Sequence, residues 1–246
     1  MSFDKTTIEQ LLKRTQPQPE VVVFAQTTST NDVARSLSEM KSGYYLVVAD
    51  EQTKGKGSHG RSFYSPEQTG FYCSFTVPKE DPQIQMTLAA GVAASEGIRD
   101  VYERAIQLKW VNDLQVDGKK VGGILCERMA DGTVIVGVGI NIQTPKDGFP
   151  DEIAMTATAL DGDPALVNEL AAAIYRHFFD VIGKKEAILR RYQELCHTLG
   201  KTVSYQWKGT LHQGRATQIL EDGSLVIEEN GKQKRFSSGE ISVRVD

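Results

Sequence analysis

Ala49–Phe75 reads A-D-E-Q-T-K-G-K-G-S-H-G-R-S-F-Y-S-P-E-Q-T-G-F-Y-C-S-F. An apolar run, Tyr44–Ala49, leads into it and a second, Phe71–Val77, leads out. Between them lie about twenty polar, glycine-rich residues, a loop length that compact domains rarely carry without a use. At its centre Gly55, Gly57 and Gly60 have no Cβ, so backbone N–H groups there can turn toward an anion and approach it closely. Lys54, Lys56, His59 and Arg61 add positive charge, which suits a phosphate or a carboxylate. The G-x-x-x-x-G-K-[ST] spacing of a Walker A loop is absent. Gly55–Gly60 fits the letters of G-x-G-x-x-G, but a Ser65-Pro66 turn and a strand follow it rather than a helix. Read alone, the stretch is as readily a solvated basic loop as a site.

The chain of 246 residues has room for one large domain, or a large and a small one. Its hydrophobic content of 40% can support a core, and its net charge of −4 argues against general attraction to nucleic acid or membrane. Basic residues gathered in one loop of an acidic chain therefore read as local and specific. No apolar run reaches the length of a membrane span, and the polar start, Met1–Thr15, does not read as a signal peptide. Three cysteines, Cys73, Cys126 and Cys196, are far apart and show no metal spacing, which fits a reducing, cytoplasmic setting.

Taken in order, Thr6–Arg14 predicts a short helix, ended by Gln16-Pro17-Gln18-Pro19. That start leaves no length for a preceding helix-turn-helix domain, so a DNA-binding role is not expected. Val21–Ala25 reads as a buried strand. Gln26–Asp32 then gathers small hydroxyl and amide residues ahead of Val33, Ala34, Leu37 and Met40 at helical spacing. The plain reading is a helix N-cap; the sharper one is a polar pocket in which Ser29, Thr30 and Asn31 bind a small polar group. Ile84–Val101 reads as a long helix rich in Ala and Gly. Gln107–Leu114 reads as a strand ending in charged and amide groups. Asp117-Gly118 and Asp131-Gly132 mark hairpins around the strands Lys119–Glu127 and Thr133–Ile142. These strands alternate too little for a half-exposed sheet, and turns this short predict a central mixed or antiparallel sheet buried by helices. After a loop-rich stretch, Gln143–Asp163, come helical patterns at Pro164–Ile182 and Lys185–Leu199. Past Gly200 about 45 residues hold five short strands with Asp222-Gly223 and Asn230-Gly231 turns, the size of an SH3-like barrel. The expectation is an α+β chain with residues 1–199 as one domain and 200–246 as a small barrel domain.

Four separated pieces together resemble the biotin–protein ligase family. They are Thr28-Ser29-Thr30-Asn31; Gly55-x-Gly57-x-x-Gly60-Arg61 with Ser65-Pro66; Lys109-Trp110-x-Asn112-Asp113 with Lys120 and Gly123-Ile124-Leu125-x-Glu127; and Gly137-x-Gly139-Ile140-Asn141. Each is weak alone; their order and spacing across Phe24–Ile142 are specific. The resemblance implies a class II synthetase-like catalytic domain and a member without an N-terminal DNA-binding domain. It implies a two-step reaction in which biotin and ATP give biotinyl-5′-AMP and pyrophosphate. A lysine of a biotin carboxyl carrier protein domain then takes the biotinyl group and releases AMP.

It also implies site roles. Ser29, Thr30, Asn31, Gln52 and Gly123 line the biotin site, and Gly55, Lys56 and Gly57 wrap the carboxylate and α-phosphate. Gly60 and Arg61 order the loop over the phosphates, while Phe63 and Asn141 face the adenine. Lys109, Asn112 and Asp113 position the adenylate and, at Asp113, its Mg²⁺. Lys120 is the central cation, with Arg61 and Lys56 in support. Trp110 is expected in the core. The loop is expected to close as a lid on forming the adenylate. Against the family pattern, Lys56 stands where Arg is usual and loses bidentate geometry. Ser58 and His59 stand where basic residues are common, Phe63 where Trp is frequent, and Val111 where Pro is common.

Two rival readings remain. One is a lipoate or octanoate ligase or transferase of the same fold, for which Cys126 would be the nucleophile; its apolar strand favours packing instead. The other is a non-catalytic biotin or nucleotide sensor. An exposed sheet edge would allow a homodimer.

Overall fold

In a computed structural model, residues 2–78, 83–238 and 240–245 are described, without the side chains of His59, Gln83 and Ile84. After a short helix, α1 (Lys5–Leu11), the first strand, β1 (Glu20–Thr27), pairs in parallel with β2 (Tyr45–Gln52) through the crossover helix α2 (Thr30–Met40). Across the glycine-rich loop, β3 (Gly70–Val77) returns antiparallel to β2. The helix α3 (Gln83–Tyr102) then leads to β4 (Gln107–Lys109), β5 (Asp113–Val116), β6 (Lys119–Arg128) and β7 (Val134–Asn141). They complete a seven-stranded sheet in the order β1-β2-β3-β7-β6-β5-β4, antiparallel except for β1 and β2.

The short hairpins follow from turn chemistry. Asp117 and Gly118 both sit at positive φ (49° and 77°), which closes β5 onto β6 in two residues. Gln107–Leu114 is not one strand. It breaks at Trp110–Asn112 into β4 and β5, which fold back so that Lys109 lies opposite Asp113. The break has no glycine or proline to announce it. It is fixed by tertiary bonds: Trp110 N donates to Thr198 Oγ1 and its buried indole Nε1 to Gly223 O.

One face of the sheet is closed by α3, α5 (Val167–Val181) and α6 (Lys185–Leu195). Phe71, Cys73 and Phe75 of β3, with Val136, Val138 and Ile140 of β7 region packing, join Leu88, Val92, Ile98, Leu170, Ile174 and Phe178 there in the main core. Two expected helices are shorter than their patterns: α5 is preceded by a 3-10 turn at Pro164–Leu166, and α6 ends at Leu195. The opposite face is covered by α2 over β2, β3 and part of β7, with Ala34, Tyr45, Val47 and Ile135 as its core. Over the rest of β7 and over β6 and β5 the cleft described below opens, with the short helix α4 (Asp151–Ala154) at its rim through Ile153.

The C-terminal strands β8 (Thr202–Trp207), β9 (Thr210–Ile219), β10 (Leu225–Glu229), β11 (Lys232–Phe236) and β12 (Val243–Val245) form an antiparallel sheet in the order β11-β10-β9-β8-β12. Its edges, β11 and β12, share no ladder among the described residues. Val203, Tyr205, Ala216 and Ile227 are buried in the same core as the larger sheet. No helix among the described residues is long and apolar enough to cross a membrane. All three cysteines are buried and none is in a disulfide.

Candidate active site

Cross-strand partners share a face, and here the shared face is a strip of small and charged residues. Asp113 lies opposite Lys109 and Gly123, Gly123 opposite Gly139, and Leu125 opposite Gly137. The glycines are needed where other groups come close. A Cβ on Gly139 would stand 2.7 Å from Cε1 of Phe63, and one on Gly137 would strike the Asn31 amide. A cleft of about 1570 Å³ lies over this strip. The larger sheet is its floor, the glycine-rich loop one wall and the C-terminal sheet another.

The loop has its own architecture. Gly57 N donates to Arg61 O at 2.7 Å and Phe63 N to Gly55 O at 2.9 Å, and Lys56 bridges Ser62, so the loop is a small hairpin with a 3-10 turn at Ser58–Gly60. Gly60 takes φ +71° at its tip. Gly55 sits at the neck, where a Cβ would be 2.5 Å from Phe63 O and closer still to Ser65 Oγ. Arg61 folds back on Ser58, and Lys56 is ion-paired with Asp32 in the first turn of α2.

At the start of α2, Ser29 occupies the N-cap position but makes no side-chain cap bond. The hydroxyl and amide cluster bonds inward to the sheet instead. Thr30 N and Oγ1 both donate to Gln52 Oε1, at 2.8 and 3.1 Å. Asn31 Nδ2 donates to Glu127 Oε2 at 2.7 Å, and Ser74 Oγ lies 2.6 Å from Asn31 Oδ1 and 2.7 Å from Thr30 Oγ1. Ser29, Thr30 and Asn31 are all buried, and all three line the cleft.

Beyond this pocket lies a charged cluster. Asp113 accepts from Lys120 Nζ at 2.5 Å through Oδ1 and from Lys109 Nζ at 2.8 Å through Oδ2. Burial alone would raise the Asp113 pKa, but the two lysine charges and their hydrogen bonds outweigh it and hold it below the ordinary value. Gly123 leaves space for Lys120, whose Nζ is 3.3 Å from where a Cβ would be. Asn112 is tied to Ile124 through both its backbone O and its Nδ2. Asn141 Nδ2 donates to Thr158 O at 2.9 Å. The same segment brackets Lys120, taking its N–H at Thr156 O and giving Thr158 N–H to its carbonyl.

Of the residues singled out in the sequence, the cleft brings together Ser29, Thr30, Asn31, Gln52, Lys56, Gly57, Arg61, Phe63, Lys109, Asn112, Asp113, Lys120, Gly123 and Asn141. Gly55 and Gly60 stand outside its lining, at the neck and tip of the loop. Sequence reasoning gave no role to Ser74, Glu127 and Asp32, which stand outside the cleft lining and bond Asn31 and Lys56 within it. A serine inside the apolar run Phe71–Val77 was the one available signal for Ser74. Trp110 is buried, as expected.

The Biotin/lipoate A/B protein ligase family model matches residues 23–143, from β1 to just past β7. A Bacillus spizizenii protein named bifunctional ligase/repressor is 40% identical over 215 residues, covering 80% of this chain and 66% of its own length. The chain thus spans about two thirds of that relative. A Mycobacterium tuberculosis protein named biotin–[acetyl-CoA-carboxylase] ligase is 28% identical, with 89% of this chain and 87% of that one covered. A solved structure of a biotin protein ligase from Aquifex aeolicus, in complex with biotin and ATP, aligns with a TM-score of 0.78 at 29% identity. It covers 92% of this chain and 99% of that one.

Proposed function

The chain belongs to the biotin/lipoate A/B protein ligase family, and from that premise we propose that it activates biotin with ATP and transfers it to a lysine of a biotin carboxyl carrier protein domain. In the first step a biotin carboxylate oxygen attacks the α-phosphorus of ATP. The bond to the β-phosphate oxygen breaks and pyrophosphate leaves. In the second, the acceptor lysine amine attacks the acyl carbon, the amine loses a proton, and AMP leaves. The observation that carries this reading is spatial: the Lys120–Asp113–Lys109 cluster and the neutral pocket of Ser29, Thr30 and Gln52 open onto one cleft.

The division of labour follows from charge. A carboxylate and a triphosphate repel each other, so cations and N–H donors have to stand where they meet. Lys120 is assigned the carboxylate and bridging phosphate oxygens, with Lys109 beside it and Asp113 holding both lysines in place. Gly55, Lys56 and Gly57 wrap the carboxylate and α-phosphate, Lys56 adding its ammonium and Gly57 holding the turn through its bond to Arg61 O, and Gly60 and Arg61 arrange the loop tip over the remaining phosphates. Ser29, Thr30, Gln52 and Gly123 take the biotin head group, and Phe63, Asn112 and Asn141 the nucleotide.

The residues present do not fit a resident metal at Asp113. Each of its oxygens already faces a lysine ammonium, and no group of three His, Cys, Asp or Glu suited to a metal occurs among the described residues. Mg²⁺ therefore belongs with the substrate, as MgATP. Residues 1–199 are assigned the chemistry, residues 200–246 a supporting wall of the cleft, and the protein as a whole a cytoplasmic setting.

The test is acid-dependent exchange of pyrophosphate into ATP, comparing biotin, lipoate and octanoate for wild type and Lys120→Ala. Exchange with biotin alone, lost by about 10²–10³ in the variant, is expected. Exchange with lipoate or octanoate would move the chain to the sister ligases. A folded protein that binds biotin without exchange would be a sensor.

A further inference from the structure

Gln52 lines the cleft, but the residue that decides which way its amide points does not. Ser65 is buried and stands outside the cleft lining. Its hydroxyl donates to Phe63 O at 2.9 Å and accepts from Gln52 Nε2 at 3.1 Å. The other end of the Gln52 amide, Oε1, accepts from Thr30 N at 2.8 Å.

Both ends of this chain of bonds are backbone groups with a single role. A carbonyl oxygen only accepts and an N–H only donates. The Ser65 proton is therefore committed to Phe63 O, and its lone pairs face Gln52. Gln52 must then point its NH₂ toward Ser65 and its oxygen toward Thr30. Turning the amide over would set donor against donor at Thr30 N and break the bond at that end. With one N–H given to Ser65 and the oxygen filled by Thr30, Gln52 has one amide N–H left for the cleft.

We propose that Ser65 is a positioning residue that fixes the Gln52 amide, and so sets the hydrogen-bonding polarity of the head-group pocket from the neck of the glycine-rich loop. This rests on the ligase reading and deepens it. The neck is built for the contact: Gln52 N donates to Ser65 O at 3.1 Å, and Gly55 alone leaves room for the Ser65 hydroxyl. The residues that hold Phe63 over Gly139 are thus the same ones that orient Gln52, so loop position and ligand recognition share one joint.

The experiment is biotin-dependent pyrophosphate exchange by Ser65→Ala, Gln52→Ala and the double variant, with full KM and kcat for biotin and for ATP. Losing one orienting hydrogen bond is expected to raise the biotin KM of Ser65→Ala about fivefold, with kcat and the ATP KM within about twofold of wild type. Because Ser65 acts through Gln52, the double variant is expected to match Gln52→Ala alone, a non-additive cycle. A purely structural role would instead give additive changes, or a fall in kcat with unchanged KM, and either would overturn the proposal. Ser65→Cys keeps the volume and weakens both bonds; it is expected between wild type and alanine and carries the same test if alanine does not fold. Absence of exchange in wild type would strike the ligase reading, whereas normal exchange with an unchanged biotin KM in both Ser65 variants would strike this inference alone.

Discussion

Lys120 and Asp113 face each other across the β5–β6 hairpin at 2.5 Å, and Asp113 is shared with Lys109 at 2.8 Å. Two ammonium groups on one carboxylate leave the cluster with excess positive charge, available to an anion while both lysines are held. The arrangement has a consequence for stability in acid. The lysine charges overcome the effect of burial and keep the Asp113 pKa in the folded chain below its ordinary value of 3.8. The stability it contributes is therefore complete above 3.8 and is lost as pH falls through the lower, folded value. Asp113→Asn removes that dependence and leaves the two lysines in mutual repulsion. In urea unfolding, the gap between wild type and the variant is expected to be constant above pH 3.8 and to shrink below it. A gap that stays constant through the acid range would contradict the assignment.

Phe63 and Gly139 make a second pair whose geometry can be tested. The Cβ of Gly139→Ala would lie 2.7 Å from Phe63 Cε1 and 2.9 Å from Cζ. Either the ring moves, carrying the end of the loop with it, or the site is overpacked at a cost of about 1–3 kcal/mol. Limited proteolysis is expected to cut Lys54–Arg61 faster in the variant, and the ATP KM in exchange is expected to rise. Unchanged cleavage and KM would mean that Phe63 does not hold the loop.

The sequence made the loop and its hairpins visible because their signals are local. Glycines at Gly55, Gly57 and Gly60, the Asp117-Gly118 turn, and the pattern Val33, Ala34, Leu37, Met40 all act within a few residues. What joins them is not local. Asn31 meets Glu127 at a separation of 96 residues, and Ser74 meets Thr30 at 44. The order β3-β7-β6 that brings them together has no mark in strand periodicity. Ser74 sits in a strand that reads as apolar from end to end, so its polar role shows only once α2 is laid across it. The break at Trp110–Asn112 is hidden for the opposite reason: a run with no glycine or proline bends where Thr198 and Gly223 bind Trp110 from far along the chain.

Cys126 lines the cleft, yet it is poorly suited to attack an acyl group. Burial pushes its thiol up to about 12, against a weaker opposing hydrogen bond from Thr87. At neutral pH its thiolate fraction is negligible, and the thiolate is the nucleophile. Cys126→Ala is therefore expected to keep biotin transfer to a carrier domain within a few-fold of wild type, measured by acceptor mass shift. Loss of transfer with intact pyrophosphate exchange would restore the thiol to a covalent role.

Asp32 and Lys56 join α2 to the glycine-rich loop by an ion pair, with side chains 39% and 42% exposed. An anionic substrate competes with Asp32 for the same ammonium, so the pair opposes binding as much as it holds the loop. An exposed pair of this kind contributes about 0.2–1 kcal/mol. That corresponds to roughly 1.5- to 5-fold in affinity. Asp32→Asn is expected to lower the biotin KM in exchange by that factor, and the difference from wild type is expected to fade in high salt as the charges are screened. The variant also removes an acidic residue from the first turn of α2, where it favours the helix N-terminus, so a small fall in melting temperature is expected alongside the lower KM. A higher KM, with the same fall in melting temperature, would mean that the pair serves to place the loop for binding and that freeing Lys56 does not help it reach an anion.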